Sequence, residues 1–282
     1  MARGAGALLA VLALWTTEQL PDHDTFLRET RAALGRSQQV AHRYAYKERR
    51  TDLHVNPFGR MGTSDTRLLQ VYPSPNPQLT YKRVIERNGV PVPRQELEQQ
   101  DAAYRATAAD VQRRLANEDD EDRRERERDD LTARRRAETV IADVVSTLRF
   151  EIVRRELRDG VSTIVVGFAG RPEARPTTRQ GRIAKAFKGH IWVREASHEV
   201  SHVEAVAMDD VSFGGFIAKL YEGTQAVVER REIERDVWMP TRVKLSGDIR
   251  ALFRRARIDY AVEWFDYQPM ADVSLPHARV QQ

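Results

Sequence analysis

The 282-residue chain contains no cysteine. This absence excludes thiol catalysis, thiolate metal sites and disulfide bonds. It also excludes attachment to a membrane through a lipid-modified N-terminal cysteine. Because both cytosolic and exported proteins can lack cysteine, the absence does not indicate a compartment.

The sequence also lacks an excess of charge of one sign, since 46 basic residues stand against 42 acidic ones and the formal net charge is only +4. A dedicated nucleic-acid-binding protein concentrates positive charge far more strongly, so we expect no nucleic-acid partner. Long apolar runs are missing after the first segment. We therefore expect no transmembrane segment in the mature chain.

Motifs that carry chemistry are missing as well. The run 213–216 (FGGF) lacks the lysine and the helix of a phosphate-binding loop, and no G-x-S-x-G nucleophile motif occurs. His198 and His202 fall in a segment with strand character, where four residues span about 13 Å, too far for two ligands of one zinc ion. We expect no catalytic residue, no metal and no cofactor, and a protein that is not an enzyme; an enzyme of unrecognised type is the last alternative.

The most informative feature that is present is an apolar N-terminal segment. Arg3 precedes the compact apolar run 8–15 (LLAVLALW), and polar residues begin at Thr16. This layout is typical of a secretory signal peptide, and the run is too short to span a bilayer as a helix. We expect a signal peptide at residues 1–18 and a periplasmic or secreted protein. A buried N-terminal helix is the alternative, because no clear small-x-small cleavage site follows.

Two later segments have helical character. In the first, Thr25 to Leu34, large apolar residues lie at near-helical spacing behind Asp24 or Thr25 as the cap. The second, from Gln95 to about Arg136, has few large apolar residues, no glycine or proline, and a dense run of acidic and basic residues. Such composition predicts a solvated helical excursion from the sheet. A partner-binding arm is the alternative.

Much of the rest of the chain shows the period of two that is typical of half-buried strands. Asn88-Gly89 and Asp159-Gly160 are dipeptides of hairpin turns. The expected strands lie at 40–47, 68–72, 79–86, 150–158, 161–168, 191–195, 200–208, 211–221, 226–233, 242–249 and 258–267, with a loop at 171–189. Because short turns join successive strands without crossover segments, the pattern predicts an antiparallel meander.

The segment 213–220 (FGGFIAKL) has apolar residues on both strand faces, so both are expected to be covered. Its paired glycines predict a bend, a bulge or the close approach of another group. Two interpretations stay open. The strand is strongly curved within an ordinary core, or its curvature opens a concave apolar surface for a ligand.

Several short motifs follow one another in a familiar order. After the export signal and the amphipathic helix come the strand at 44–46 (YAY), the segments 189–193 (GHIWV) and 203–205 (VEA), and the segment 237–242 (VWMPTR). This order resembles that of the LolA/LolB/RseB-like periplasmic proteins, in which an aromatic residue and a proline also enter a late strand. The resemblance covers most of the chain. The long charged helix departs from the compact pattern of that family.

The resemblance implies an α+β fold in which a strongly curved antiparallel sheet forms an incomplete barrel around a helical lid. One such domain is expected over residues 19–282, with the charged helical insertion at about 95–147. The apolar concavity of these proteins takes lipid or lipoprotein acyl chains, or a regulatory partner. We therefore expect a lipid or another hydrophobic small molecule, carried near the bacterial envelope; a protein-recognition or sensing module that binds an envelope protein is the alternative.

An acyl chain that replaces water in such a concavity contributes about 0.8 kcal/mol per buried methylene group. Aromatic residues are the candidates for lining the cavity; the alternative, which each residue on its own favours, is a place in an ordinary core. These candidates are Trp192, Phe213, Phe216, Trp238, Tyr260 and Trp264. The candidates for meeting an anionic headgroup at the rim are Arg250, Arg254, Arg255 and Arg257.

Overall fold

The computed structural model describes residues 19–55, 61–213, 218–251 and 254–273, so the signal-peptide prediction for residues 1–18 lies outside the described residues. The helices in these ranges are α1 (His23–Val40), α2 (Arg94–Ala116), α3 (Asp120–Thr147) and α4 (Arg179–Lys185). The strands are β1 (Tyr44–Val55), β2 (Met61–Tyr72), β3 (Tyr81–Arg87), β4 (Val90–Pro91), β5 (Leu148–Arg158), β6 (Val161–Gly170), β7 (Phe187–Arg194), β8 (Val200–Ala207), β9 (Val211–Phe213), β10 (Ala218–Leu220), β11 (Gln225–Glu234), β12 (Val237–Ala251) and β13 (Arg254–Pro269).

All thirteen described strands belong to one antiparallel sheet. Its order is β4-β3-β2-β1-β13-β12-β11-β8-β7-β6-β5, and the short hairpin β9–β10 joins β12 through β10. The edge strands β4 and β5 do not pair with each other in the described part of the chain, so the sheet is not closed. Register shifts in β1, β5 and β11 bend the strands. The predicted α+β fold, with an antiparallel sheet that forms an incomplete barrel, is confirmed.

Turn residues set two of the hairpins. Asn88 and Gly89 have φ values of 52° and 78°, and Asp159 and Gly160 have φ values of 52° and 74°. Glycine adopts this left-handed region freely and Asn and Asp adopt it readily, and two such residues in succession suit the tight turn that follows the twist of paired strands. Both hairpin predictions are confirmed.

Helix α1 is longer than the sequence pattern predicts. It begins after Asp22, whose carboxylate accepts the backbone N–H of Thr25 at 3.0 Å, and it continues to Val40. The predicted caps, Asp24 and Thr25, are therefore wrong. The strand that was expected from Val40 begins only at Tyr44.

The buried face of α1 explains this difference. Phe26, Thr30, Ala33 and Ser37 are its buried residues, at spacings of four, three and four. Only Phe26 is large and apolar, so a pattern of large apolar residues marks the first turns of the helix alone. The smaller residues allow the rest of α1 to lie close to the sheet.

Two hydrophobic cores lie on the same face of the sheet, which we call the α1 face; the opposite side is the outer face. The first core joins α1 to β6, β7 and β8 through Phe26, Ile164, Val166, Val193 and Val200. The second lies beside α4 and the β9–β10 hairpin and contains Ala186, Phe187, Ala207, Val211 and Leu220. Both cores are therefore on the side of the sheet that α1 covers.

Two segments differ from their expected structure. The run 211–221, expected as a single strand, forms β9 and β10, which pair with each other in antiparallel orientation. The paired glycines for which a bend or bulge is expected, Gly214 and Gly215, lie outside the described residues. The loop expected at 171–189 contains α4 and the start of β7. The side chain of Thr178 caps α4 by accepting the backbone N–H of Gly181 at 2.9 Å.

The charged region forms two helices rather than one. Helix α2 packs against β3, and α3 packs against α4 near its C-terminal end. Residues 120–139 of α3 are all exposed, as the solvated excursion predicts. Arg126 pairs with Glu118 at 2.7 Å. No helix in the described ranges has both the length and the apolar character that crossing a membrane requires.

Asp143 holds the C-terminal end of α3 to the segment before α4. Its carboxylate accepts hydrogen bonds from the hydroxyl and the backbone N–H of both Thr177 and Thr178, at 2.6 to 3.2 Å. The hydroxyl of Thr178 contributes most, and together these hydrogen bonds lower the pKa of Asp143 from 3.8 to about 2. Asp143 therefore stabilises the folded protein in its ionised form.

Because the folded-state pKa is depressed, this stabilisation is present above about pH 4 and is lost as the pH falls toward 2. We expect Asp143→Asn to lower the Tm at neutral pH, and we expect the difference from wild type to shrink over that acidic range. Thermal unfolding followed by circular dichroism measures both effects. Glu138→Gln, on the exposed part of α3, is the control, and a Tm difference that is unchanged at acid pH would contradict the assignment.

Candidate functional site

The apolar surface of the α1 face continues beyond α1 across β11, β12 and β13. Cross-strand pairing places Val203 beside Val228, Val228 beside Val243, and Val243 beside Val262. Directly paired residues of antiparallel strands share a face. These four valines therefore form one continuous row across four strands.

Part of this surface is accessible. One step along the strands, Leu245 pairs with Tyr260, on the same face as the valine row. Val262, on the same face, is 6% exposed. Five half-buried side chains share this face, and we call them the accessible stripe: Val228, Val243, Leu245, Tyr260 and Trp264.

The accessible stripe ends at β1 in a buried carboxylate. Glu48 is 6% exposed and pairs across the sheet with Trp264, whose indole Nε1 donates to Glu48 Oε2 at 3.2 Å. Arg50 Nη1 lies 3.5 Å from Glu48 Oε1. Glu48 is not among the predicted site residues, although the alternation of β1 places it on the same face as Tyr46.

Two tyrosines extend this polar end. The rings of Tyr46 and Tyr267 are 5.5 Å apart. Burial, and then the charge of Glu48, raises the pKa of Tyr46 to about 12. Burial also raises the pKa of Tyr267, whose hydroxyl donates to the carbonyl oxygen of Pro240 at 2.5 Å. Both tyrosines are therefore protonated at neutral pH, so the apolar stripe is bordered by hydroxyl groups and one carboxylate.

A buried ion pair of the sheet, Arg230 with Glu199, binds α1 beside the stripe through Ser37. Arg230 Nη1 donates to Glu199 Oε2 at 2.9 Å, and Glu199 Oε1 accepts the hydroxyl of Ser37 of α1, also at 2.9 Å. Arg230 further donates to the carbonyl oxygens of Val200 and Trp238 at 3.1 and 2.9 Å. The side chains of Arg230 and Glu199 are only 11% and 4% exposed. The C-terminal half of α1 is thus held by charge-assisted hydrogen bonds.

The structure separates the aromatic residues that were predicted to line a cavity. Tyr260 and Trp264 lie together on the accessible stripe. Trp192 lies on the outer face, because its neighbour in β7, Val193, belongs to the first core. Its Nε1 donates to Glu156 at 2.7 Å, and it is 8% exposed. Trp192 and the stripe therefore face opposite sides of the sheet.

The other three predicted cavity residues are not placed on the stripe. Trp238 is 7% exposed, and the guanidinium of Arg194 lies 6.0 Å from its ring. Phe213 belongs to β9, with only its backbone described, and Phe216 lies outside the described residues. A ligand-lining role stays a prediction for all six aromatic residues.

Three of the four predicted rim arginines, on β12 and β13, lie on the side of the sheet opposite the stripe. Arg250 pairs directly with Arg255, and Arg257 lies two residues further along β13. The neighbour of Arg250, Ile249, pairs with Leu220 of the second core. By strand alternation these three arginines lie on the outer face.

Of the four predicted rim arginines, Arg255 has partners on the outer face and Arg254 is described only in its backbone. Arg255 Nε donates to Asp248 at 3.1 Å, and its guanidinium lies 4.3 Å from the centre of the Tyr221 ring. Arg254 begins β13, and its side chain lies outside the described structure. A headgroup-binding role for the four arginines stays a prediction.

The histidines make separate pairs. His198 Nε2 lies 2.8 Å from Glu29 of α1, and His202 Nε2 lies 2.8 Å from Glu204. Among the described residues, no group of three histidine or carboxylate side chains is arranged to hold a metal ion.

No family model matches the chain, and no curated protein matches it either. Among solved structures, the crystal structure of a DUF1329 family protein from Desulfovibrio piger ATCC 29098 is similar to it. That similarity covers 88% of this chain and 95% of the other, with a TM-score of 0.29 and 10% sequence identity. A likeness this distant carries no argument about function.

Proposed function

We propose that the protein binds the hydrocarbon part of an amphiphile along the accessible stripe and does not convert it chemically. The observation that supports this proposal is the set of five half-buried apolar side chains that lie side by side beyond α1. Covering them with hydrocarbon removes apolar surface from water on both partners. At about 0.8 kcal/mol per methylene, ten methylenes contribute roughly 8 kcal/mol before the entropy of association is subtracted.

The polar border of the stripe supports an amphiphile over a pure hydrocarbon. The carboxylate of Glu48 and the rings of Tyr46 and Tyr267 lie at the β1 end. The oxygens of the carboxylate and of the tyrosine hydroxyls can accept hydrogen bonds from one end of a ligand. The side chains of the valines and Leu245 can make none. A molecule with a polar end and an apolar chain matches this division.

Location near the bacterial envelope is part of the proposal. It is supported by the apolar N-terminal segment and by the resemblance to LolA/LolB/RseB-like proteins, whose concavities take acyl chains. N-terminal sequencing of protein recovered from outside the cytoplasm tests it. A mature N-terminus roughly 15 to 25 residues into the chain supports export, and an intact N-terminus on protein confined to the cytoplasm contradicts it.

The matched pair Val228→Asp and Val227→Asp tests the binding surface. Val228 belongs to the stripe, whereas its neighbour in β11 points to the outer face. Because an aspartate at 228 must be desolvated when hydrocarbon covers it, we expect it to weaken binding of a fluorescent long-chain lysophospholipid at least about tenfold. Val227→Asp is expected to leave binding unchanged.

Circular dichroism must show that both variants are folded before their affinities are compared. Equal effects of the two substitutions would contradict the proposed surface. Mass spectrometry of lipid extracted from protein purified from the native envelope gives a second test. If that preparation contains a protein partner and no lipid, protein recognition replaces the proposed ligand.

A further inference from the structure

A groove of about 710 Å³ lies on the outer face over β5, β6, β7 and β8 and the start of β11. Gly167 and Ala169 of β6 form its floor, because neither has a side chain larger than a methyl group. Longer side chains of the neighbouring strands form its walls. The groove lies on the opposite side of the sheet from the accessible stripe, since Ile152 of β5 packs against the first core while its neighbour Glu151 lines the groove.

Cross-strand pairing assigns the charged wall residues to two rows. In the first, Arg149 and Lys188 flank Ala169 from its two sides. Both side chains are exposed and line the groove. With only a methyl group between them, the two cations border the same end of the groove, and we call them the cationic row.

The second row lies two residues further along each strand. Glu151 and His190 flank Gly167, and Glu204 pairs with His190. Glu151 therefore lies directly beside Gly167, whereas Glu204 lies one strand beyond His190, with its carboxylate 2.8 Å from His202 Nε2. We call this second row the acidic row. Two residues of a strand span about 6.8 Å, which sets the separation between the rows.

Three of the charged groups are available to a ligand. Arg149, Lys188 and Glu151 make no ion pair or hydrogen bond within the described part of the chain. Three other charged residues of β5 have carboxylate or guanidinium partners: Arg154 pairs with Glu156 at 2.7 Å, and Arg155 pairs with Glu195. Arg149 and Glu151, at the groove, therefore differ from these three in having no partner of opposite charge among the described residues.

We propose that this groove binds a small zwitterion of dipeptide size. Its carboxylate lies at the cationic row and its ammonium group at the acidic row. In an extended dipeptide the charged ends are about two residue lengths apart, roughly 6.8 Å, which equals the spacing of the rows. The site is independent of the amphiphile surface, because the two lie on opposite faces.

Isothermal titration calorimetry at low salt, with dialanine as the probe, tests the proposal. We expect a Kd in the millimolar range, since the charges are exposed. N-acetyl-dialanine lacks the ammonium group and dialanine amide lacks the carboxylate, and each is expected to bind about tenfold more weakly. Lys188→Gln and Glu151→Gln are expected to weaken dialanine binding about three- to tenfold.

Lys82→Gln and Glu138→Gln are the matched controls, because both residues are exposed and lie away from the groove. They are expected to bind dialanine as the wild type does. No binding of dialanine by the wild-type protein overturns the proposal. Equal binding of the capped and free dipeptides, or equal losses in the groove and control variants, also overturns it.

Discussion

Replacing Arg230 by alanine is expected to lower the free energy of unfolding by about 3–5 kcal/mol. The carboxylate of Glu199 is 4% exposed, and Arg230 is the cation that faces it at 2.9 Å. Removing the guanidinium leaves a buried charge whose remaining side-chain donor is the hydroxyl of Ser37. The carbonyl oxygens of Val200 and Trp238 lose a donor in the same variant.

Urea unfolding followed by circular dichroism measures this loss. The double variant Arg230→Met/Glu199→Gln removes both charges, so we expect a loss well below that of Arg230→Ala. If the double variant is as unstable as the single one, the stranded charge is not the cause. Arg242→Ala is the control, because its guanidinium lies 3.9 Å from Glu263 with both side chains about two-fifths exposed. We expect that substitution to change stability by less than about 1 kcal/mol.

The parts of this fold that the sequence predicts are those that local chemistry determines. Asn88-Gly89 and Asp159-Gly160 turn the chain because of their own backbone preferences. The final strand alternates so regularly that the shared face of Ile258, Tyr260, Val262 and Trp264 can be assigned from the sequence alone. An antiparallel sheet then follows from the short connections.

Pairing between distant segments is what the sequence could not predict. β1 lies beside β13, with Tyr44 opposite Pro269, although most of the chain separates them. The length of α1 has a similar cause. Its C-terminal half is buried through Ser37, whose partner Glu199 is 162 residues away, and no local pattern of apolar residues marks that contact.

The candidate site was predicted in part for the same reason. Tyr260 and Trp264 both belong to the accessible stripe, as the alternation of the strand predicts. Assigning Trp192 to a face requires the cross-strand register of β6, β7 and β8, which only the folded sheet provides. Glu48 was missed because a carboxylate in a strand normally indicates a solvent-facing position, whereas here the indole of Trp264 donates to it.

Replacing Phe26 by alanine is expected to lower the free energy of unfolding by about 3–5 kcal/mol. Phe26 is 2% exposed and packs in the first core with Ile164 and Val166, so the substitution leaves a cavity between α1 and the sheet. Phe26→Leu keeps most of the apolar volume, and we expect it to lose less than about 1.5 kcal/mol. Urea unfolding compares the two variants.

The same substitution tests how α1 is attached, because Phe26 anchors its N-terminal half and the Ser37–Glu199–Arg230 contacts anchor its C-terminal half. If each anchor acts on its own half, amide hydrogen exchange in Phe26→Ala increases in the first turns of α1 and stays slow near Ser37. Because α1 borders the accessible stripe, partial release of the helix should also expose apolar surface and increase binding of the dye ANS. Uniformly faster exchange along α1, without a gain in dye binding, would instead show that the helix detaches only when the whole sheet unfolds.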